Sequence, residues 1–241
     1  RQRQMCIRDS EFPVSIGINA YLQDAKNIFV EKRSAPLSPA LAKTEYGSKP
    51  TDDGNFIIEP EDYAVVTADP VAAKYVHKYV GARELLRNED RWCFWLDGMD
   101  PDDLSRSRIL RERVEAVRVF RSKSKAASTR EYPHHHLFRQ LAKQDEAFVC
   151  VPRHVSETRR FFTVARFDED VIASDANFTI RDPDGFQFAI MSSSMFITWQ
   201  KAIGGRLKSD LRFGSTLTWY TLPLPQVGPD ERAAIAEAGQ G

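Results

Sequence analysis

The chain has 241 residues, 42% of them hydrophobic, with 34 lysines and arginines balanced by 34 aspartates and glutamates. It is long enough to bury one large core or two modest ones, and its even charge leaves any nucleic-acid reading to rest on local distribution alone. No apolar run approaches the roughly 20 residues that span a membrane, and Cys6, Cys93 and Cys150 include no close pair, which argues against a disulfide framework or zinc knuckle and predicts a reducing, cytoplasmic setting.

The opening "RQRQMCIRDS" lacks helical or strand periodicity and resembles translated adapter sequence, so residues 1–10 are set aside as an expected artefact. From about Ile16 to Ile58 the turn formers of "EKRSAPLSPA" and "YGSKPTDDGN" predict connection rather than core. "PEDYAVVTADPVAAKYVHKYVG" predicts two helical pieces, with Pro60 and Pro70 at first helical positions, Asp69 capping the second and Gly81 ending it. "RWCFWL" predicts a short buried strand. Asp100 and Pro101 open a further helical region through "RSRILRERVEAVRVFRSKSK", whose apolar stripe is Leu110, Val114, Val117 and Phe120. Its other faces carry Arg106, Arg108, Arg111, Arg113, Arg118, Arg121, Lys123 and Lys125, which read either as a solvated face or as a phosphate-facing helix.

From Phe148 the period changes to two. "FVCVP", "RFFTVA", "DVIAS", "NFTI" and "FQFAIM" predict short strands separated by the turn formers "FDED", "SDAN" and "DPDG". "SSMFITWQKAIGG" predicts a helix capped by Ser193 or Ser194, with Met195, Thr198, Trp199 and Ala202 buried and Gly204 or Gly205 ending it. "GGRLKSDLRF" follows as a strand that puts Arg206, Lys208, Asp210 and Arg212 on one face and Leu207, Leu211 and Phe213 on the other. The expected fold is α+β, a small, mostly antiparallel sheet with flanking helices. "PDERAAIAEAGQG" begins as a helix at Pro229 and stops early, so a chain truncated at both ends is expected.

No glycine-rich phosphate loop, nucleophile elbow or paired metal-binding histidines occur in the sequence. His134, His135 and His136 are consecutive and cannot converge on one ion without an unusual backbone, so a polar loop is expected there. "DPDG" reads as a turn rather than a calcium loop, and Asp168, Glu169 and Asp170 as a solvated loop.

Several collinear segments resemble one family. "INAYLQDAKNIFVEKRSAPL", "GSKPTDDGNFII", "RWCFWL", "RERVEAVRVFRSKS", "VPRHVSETRRFF", "VIASDA", "SSSMFITWQKAIGGRLKSDLRF" and "LPLP" fall in the order and spacing of MmeI-like, type IIL DNA methyltransferases. Phe196 stands where many relatives have histidine, and Leu224 where they have tryptophan. The resemblance implies the tail of a catalytic domain or linker over 11–43, a target recognition domain over 44–225 and the start of a helical region over 226–241. It implies a parent enzyme that methylates adenine N6 using S-adenosylmethionine, bound upstream of this chain beside an Asn-Pro-Pro-Tyr type motif. Mg2+ would enter only with a fused nuclease. The implied partner is double-stranded DNA, with no membrane and no oligomeric state specified; the alternative is a nucleic-acid-binding module with no enzyme attached.

The resemblance places base reading at Lys208 and Asp210, a donor and an acceptor that suit the guanine and cytosine edges of one base pair in the major groove. Arg153 or His154 can meet a second base edge, and Asp175 and Ala176 a third. Ser156, Arg159, Arg160, Arg206 and Arg212 are the expected backbone contacts.

Overall fold

The computed structural model describes residues 17–18, 24–26 and 29–239. The stretch read as an adapter artefact lies outside them, as does Cys6. Regular structure starts with strands β1 (Thr44–Tyr46) and β2 (Ile57–Ile58), within the region expected to be connection. "EKRSAPLSPA" holds no helix or strand, as expected, but for "YGSKPTDDGN" and the residues after it the expectation is corrected: Ser48, Asp52, Phe56, Ile57 and Ile58 are buried. The turn formers bend the chain without exposing it, because its polar groups find partners. The Ser48 amide donates to the Ala173 carbonyl at 2.7 Å and the Phe56 amide to Asp52 Oδ2 at 2.6 Å.

Helix α1 (Pro60–Thr67) begins at Pro60 as expected. The second predicted helical piece is only one 3₁₀ turn, Ala72–Tyr75, which Asp69 caps through hydrogen bonds from the Val71 and Ala72 amides at 2.9 and 3.2 Å. The chain then extends as β3 (Val76–Val80). Its β-branched and aromatic "VHKYV" suits a pleated surface, and Gly81 precedes helix α2 (Ala82–Arg87) instead of ending a helix. "RWCFWL" forms β4 (Trp92–Phe94) as predicted, with Cys93 and Phe94 fully buried. The long helical region is two helices, α3 (Pro101–Arg106) and α4 (Arg108–Ser122). They break at Ser107, whose hydroxyl accepts from the Leu110 amide at 3.2 Å. Leu110 and Val117 of the predicted stripe are buried, Phe120 is exposed, and Arg121 takes an inner position.

After the short helix α5 (Ala127–Arg130) come β5 (Phe148–Pro152), β6 (His154–Val155), β7 (Ala165–Phe167), β8 (Ile172–Ala173) and β9 (Asn177–Arg181). "RFFTVA" is thus extended only at its end. "FQFAIM", predicted as a strand, is helix α6 (Phe186–Met191). "DPDG" decides this: Asp184 Oδ1 accepts from the Phe186 amide at 3.2 Å, Asp182 accepts from the Gln187 and Phe188 amides at 2.9 and 3.2 Å, and Gly185 turns the chain with φ 85°. Helix α7 (Ser194–Ile203) is capped by Ser193, whose Oγ accepts from the Phe196 amide at 3.1 Å. Its buried side chains are Phe196, Ile197 and Gln200, so the predicted stripe is corrected; Met195, Thr198 and Ala202 point outward. Strands β10 (Gly205–Leu207) and β11 (Asp210–Arg212), a π-helical turn at Ser215–Trp219 and helix α8 (Pro229–Ala238) complete the described chain.

The strands build three small sheets among the described residues: β1-β9-β5-β7 and β10-β11-β6, both antiparallel, and β2-β4-β3-β8, where only the β3–β8 pair is parallel. The α+β class with mostly antiparallel pairing is as expected, divided over three sheets rather than one. One hydrophobic cluster joins Val149, Ile180, Phe186, Phe196, Leu211, Phe213 and Trp219; a second gathers Phe56, Ile58, Phe94, Leu110, Val117 and Phe138 beside α4. Cys93 and Cys150 are buried free thiols.

Candidate nucleic-acid interface

"GGRLKSDLRF" is not one strand. It is the hairpin β10–β11, with Leu207 opposite Asp210 and a two-residue turn, Lys208–Ser209, at its apex. Lys208 adopts φ 57°, the left-handed geometry that the tight hairpin turns matching strand twist demand. The expected single face of Arg206, Lys208, Asp210 and Arg212 is therefore corrected: Lys208 stands on the apex and Asp210 starts the returning strand. Leu207, expected to anchor the strand, is 54% exposed, whereas Leu211 and Phe213 are buried as expected. Burying side chains of that size stabilises by about 1.5–3 kcal/mol each, which fixes the base of the hairpin and leaves the apex free. Gln200 of α7 adds a polar tie, its Nε2 donating to the Arg212 carbonyl at 3.0 Å.

Pairing of β11 with β6 sets His154 opposite Arg212 and Val155 opposite Leu211. The hairpin is thereby carried on the segment that the sequence reading singled out as a second contact group. Arg206 is engaged with that segment, donating to Glu157 Oε2 at 2.8 Å and to the Ser209 carbonyl at 3.1 Å. Ser156 Oγ lies 3.0 Å from Thr158 Oγ1, and the Arg160 guanidinium sits 5.2 Å above the Phe161 ring. Among the described residues the side chains of His154, Arg159, Lys208, Asp210 and Arg212 have no hydrogen-bond or ion-pair partner.

Arg153, His154, Asp175 and Ala176, far apart in sequence, line one depression of about 390 Å³ together with Ala82 and Leu86 of α2. Arg153 is the brace of this depression. Its Nη2 donates to the Asp175 carbonyl at 2.7 Å, and its guanidinium stacks 5.2 Å from the Tyr46 ring and 5.7 Å from that of Phe178. The Asp175 carboxylate faces Lys49, with Nζ 3.6 Å from Oδ2. Neither Lys49 nor Tyr46 was singled out in the sequence, and no local pattern links them to Asp175; only the packing of β1 and the loop after it against β9 brings them there.

The basic residues of α3 and α4 are largely occupied. Arg108 pairs with Glu112 at 2.6 Å, Arg118 with Glu115 at 2.6 Å and Arg106 with Asp103 at 3.5 Å, while Arg113 reaches Asp62 at 3.4 Å. Arg111 donates to the Ser105 carbonyl. Arg121 is fully buried and bonded to four carbonyls, one of them that of His134 in the histidine run. An open groove of about 970 Å³ along α4, lined by Leu104, Val114, Val119 and Phe120 among others, includes none of the expected DNA contacts.

The chain matches the family described as MmeI, target recognition domain, over residues 24–226. It is 29% identical over 223 residues to DNA methyltransferase A of Bacillus subtilis, a match that spans 92% of this chain and 25% of that protein. Among solved structures it is similar to the type IIL restriction-modification enzyme MmeI in complex with DNA, with a TM-score of 0.82 and 35% identity over 92% of this chain and 30% of that one. The chain thus spans less than a third of the length of either relative.

Proposed function

Because the chain belongs to the MmeI target recognition domain family, we propose that it selects the duplex DNA sequence on which a parent adenine-N6 methyltransferase of a restriction-modification system acts. The observation that carries this reading is that the 153–155 stretch joins the other groups, pairing with the β10–β11 hairpin through β6 and lining one depression with Asp175 and Ala176, beside the cations Arg159, Lys208 and Arg212, whose side chains have no partner among the described residues. A two-stranded ribbon fits the major groove, which is about 12 Å wide. Lys208 donates to guanine acceptors from the apex and Asp210 accepts from a cytosine amino group beside it. His154, Asp175 and Ala176 offer an imidazole, an acceptor and a methyl to neighbouring base edges, with Arg153 holding their turn in place. Ser156, Arg159, Arg160 and Arg212 bind phosphates and set the register. Arg206 ties the hairpin to Glu157 and reaches the backbone from there.

The pocket's guanidinium, imidazole and carboxylate, with no glycine-rich turn beside them, do not fit S-adenosylmethionine. The methyl donor belongs to the catalytic part of the parent protein. Among the described residues no three His, Cys, Asp or Glu side chains form a metal-binding group, and any Mg2+ would belong to a fused nuclease.

The test is selection from a duplex library with randomised base pairs. Lys208→Ala should relax preference at one position by about 1–3 kcal/mol. Lys208→Gly should do the same while easing the left-handed turn, which separates the ammonium from the fold. Arg159→Ala should weaken all sequences alike and lower the salt slope by about 1. If these changes leave both the selected sequence and the affinity untouched, the assignment is wrong; binding without any sequence preference would favour a non-enzymatic nucleic-acid module.

A further inference from the structure

We propose that Leu86 of α2 is a further specificity residue, its side chain meeting the methyl group of a thymine in the major groove; this rests on the DNA-reading role proposed above. Leu86 lines the depression of Arg153, His154, Asp175 and Ala176, together with Ala82 one helical turn before it. The two side chains give a largely polar depression one apolar wall. Packing of α2 does not need Leu86 for this, because its neighbour Leu85 lies against the buried cluster of Val80, Phe148, Cys150, Val171 and Ala173. Leu86 packs in none of the hydrophobic clusters of the described residues and stays half-buried. Its remaining apolar surface gains free energy from any apolar group that covers it.

The wall is built as one piece with the 175–176 turn. Helix α2 follows directly on β3, whose last residue, Val80, is in register with Ala173 of β8. The Val80 carbonyl accepts from the Ser174 amide and from Asn177 Nδ2, both at 2.9 Å, so one carbonyl holds the residues on either side of the turn. The start of α2 is closed by the buried Glu84, whose Oε2 accepts from the Gly81 amide at 2.8 Å and whose Oε1 accepts from Arg91 Nη1 at 3.3 Å. Leu86 therefore keeps a fixed place relative to whatever base the turn meets. The chemistry of the wall names its ligand: among the groups that base pairs present in the major groove, the thymine methyl is the apolar one. A leucine neither donates nor accepts, so it can tell thymine from the other bases only by that methyl.

The test uses the complete chain and duplexes of its selected sequence in which each thymine in turn, on either strand, is replaced by deoxyuridine, which lacks only the methyl. At one position the replacement should weaken binding by wild type about 4-fold, the worth of one buried methyl-sized group. Leu86→Ala, which suits a helix, should bind the thymine and uracil duplexes alike at that position and keep wild-type preference elsewhere. Leu86→Met, which keeps an apolar side chain of similar volume, should retain most of the discrimination, and circular dichroism of each variant checks folding. If no thymine is sensitive, or if Leu86→Ala discriminates as wild type does, so that the methyl is read elsewhere, the assignment is overturned. A Leu86→Ala loss spread evenly over all sequences, with thymine still preferred to uracil, would make the residue structural and overturn it as well. In those outcomes wild type still selects a motif and only Leu86 fails; if wild type selects no motif, the DNA-reading role fails with it.

Discussion

Replacing Arg121 by alanine should destabilise the chain by about 3–5 kcal/mol, the loss typical of breaking a buried charged group away from its partners. Its guanidinium donates from Nε to the Thr51 carbonyl at 2.9 Å, from Nη1 to that of His134 at 3.2 Å, and from Nη2 to those of Pro50 and Leu137 at 2.7 and 2.8 Å. Burial lowers its pKa, an effect that the nearby Asp52 carboxylate and then Tyr132 oppose. Removing the side chain would leave four carbonyls without their donor, each worth about 1–3 kcal/mol if water cannot reach it, and would open a void between α4 and the loop that follows β1. At about 2–4 °C per kcal/mol for a chain of this size, the melting temperature should fall by roughly 6–20 °C. Arg121→Lys keeps a charge but concentrates its donors on one nitrogen, and should fall between alanine and wild type. A loss below about 1 kcal/mol for alanine would mean that the residue is not a structural clamp.

Gly47→Ala should be comparably damaging for a different reason. The new methyl carbon would stand 2.1 Å from the Ser174 carbonyl oxygen, 2.5 Å from its carbon and 2.7 Å from the Ala173 carbonyl oxygen. All three are backbone atoms, so no rotamer change can relieve the contact. The segment would have to withdraw, breaking the hydrogen bonds from the Ser48 amide to Ala173 and from the Asp175 amide to Ser48. Overpacking of about 1–3 kcal/mol and the exposure of those groups at about 1 kcal/mol each together give roughly 3–5 kcal/mol. A denaturant midpoint, combined with hydrogen exchange at the Ser48 and Asp175 amides, checks this. An unchanged midpoint with unchanged protection would show that the segment yields easily, which its bonding on both sides argues against.

What the sequence made legible is what depends on neighbouring residues. Strands β4 and β5, the Ser193 cap, the Pro60 and Pro229 helix starts and the "DPDG" turn all follow from chemistry within a few positions. The errors lie where two local signals competed. "FQFAIM" fits a strand by alternation, but Asp182 and Asp184 satisfy the first amides of a helix. "VHKYV" reads as the continuation of a helix because Pro70 and Asp69 do begin a turn there; pairing with β4 instead draws these residues into a strand. "GGRLKSDLRF" reads as one strand because its turn carries lysine and serine, not the asparagine or glycine that usually announce a hairpin. Family resemblance placed His154, Asp175 and Lys208 as candidates, yet the approach of Lys49 to Asp175 has no one-dimensional trace at all.

The hairpin apex has a further meaning in terms of inheritance. Lys208, Ser209 and Asp210 are exposed, and the anchoring falls to Leu211, Phe213 and Gln200. A codon change at Ser209 or Asp210 therefore meets little resistance from the fold, and one at Lys208 meets it only from the left-handed backbone there (φ 57°), while one at the anchor is purged as misfolding. Under the base-reading role proposed for the apex, a lineage built this way can drift in which DNA it addresses, one or two substitutions at a time, without passing through an unfolded ancestor.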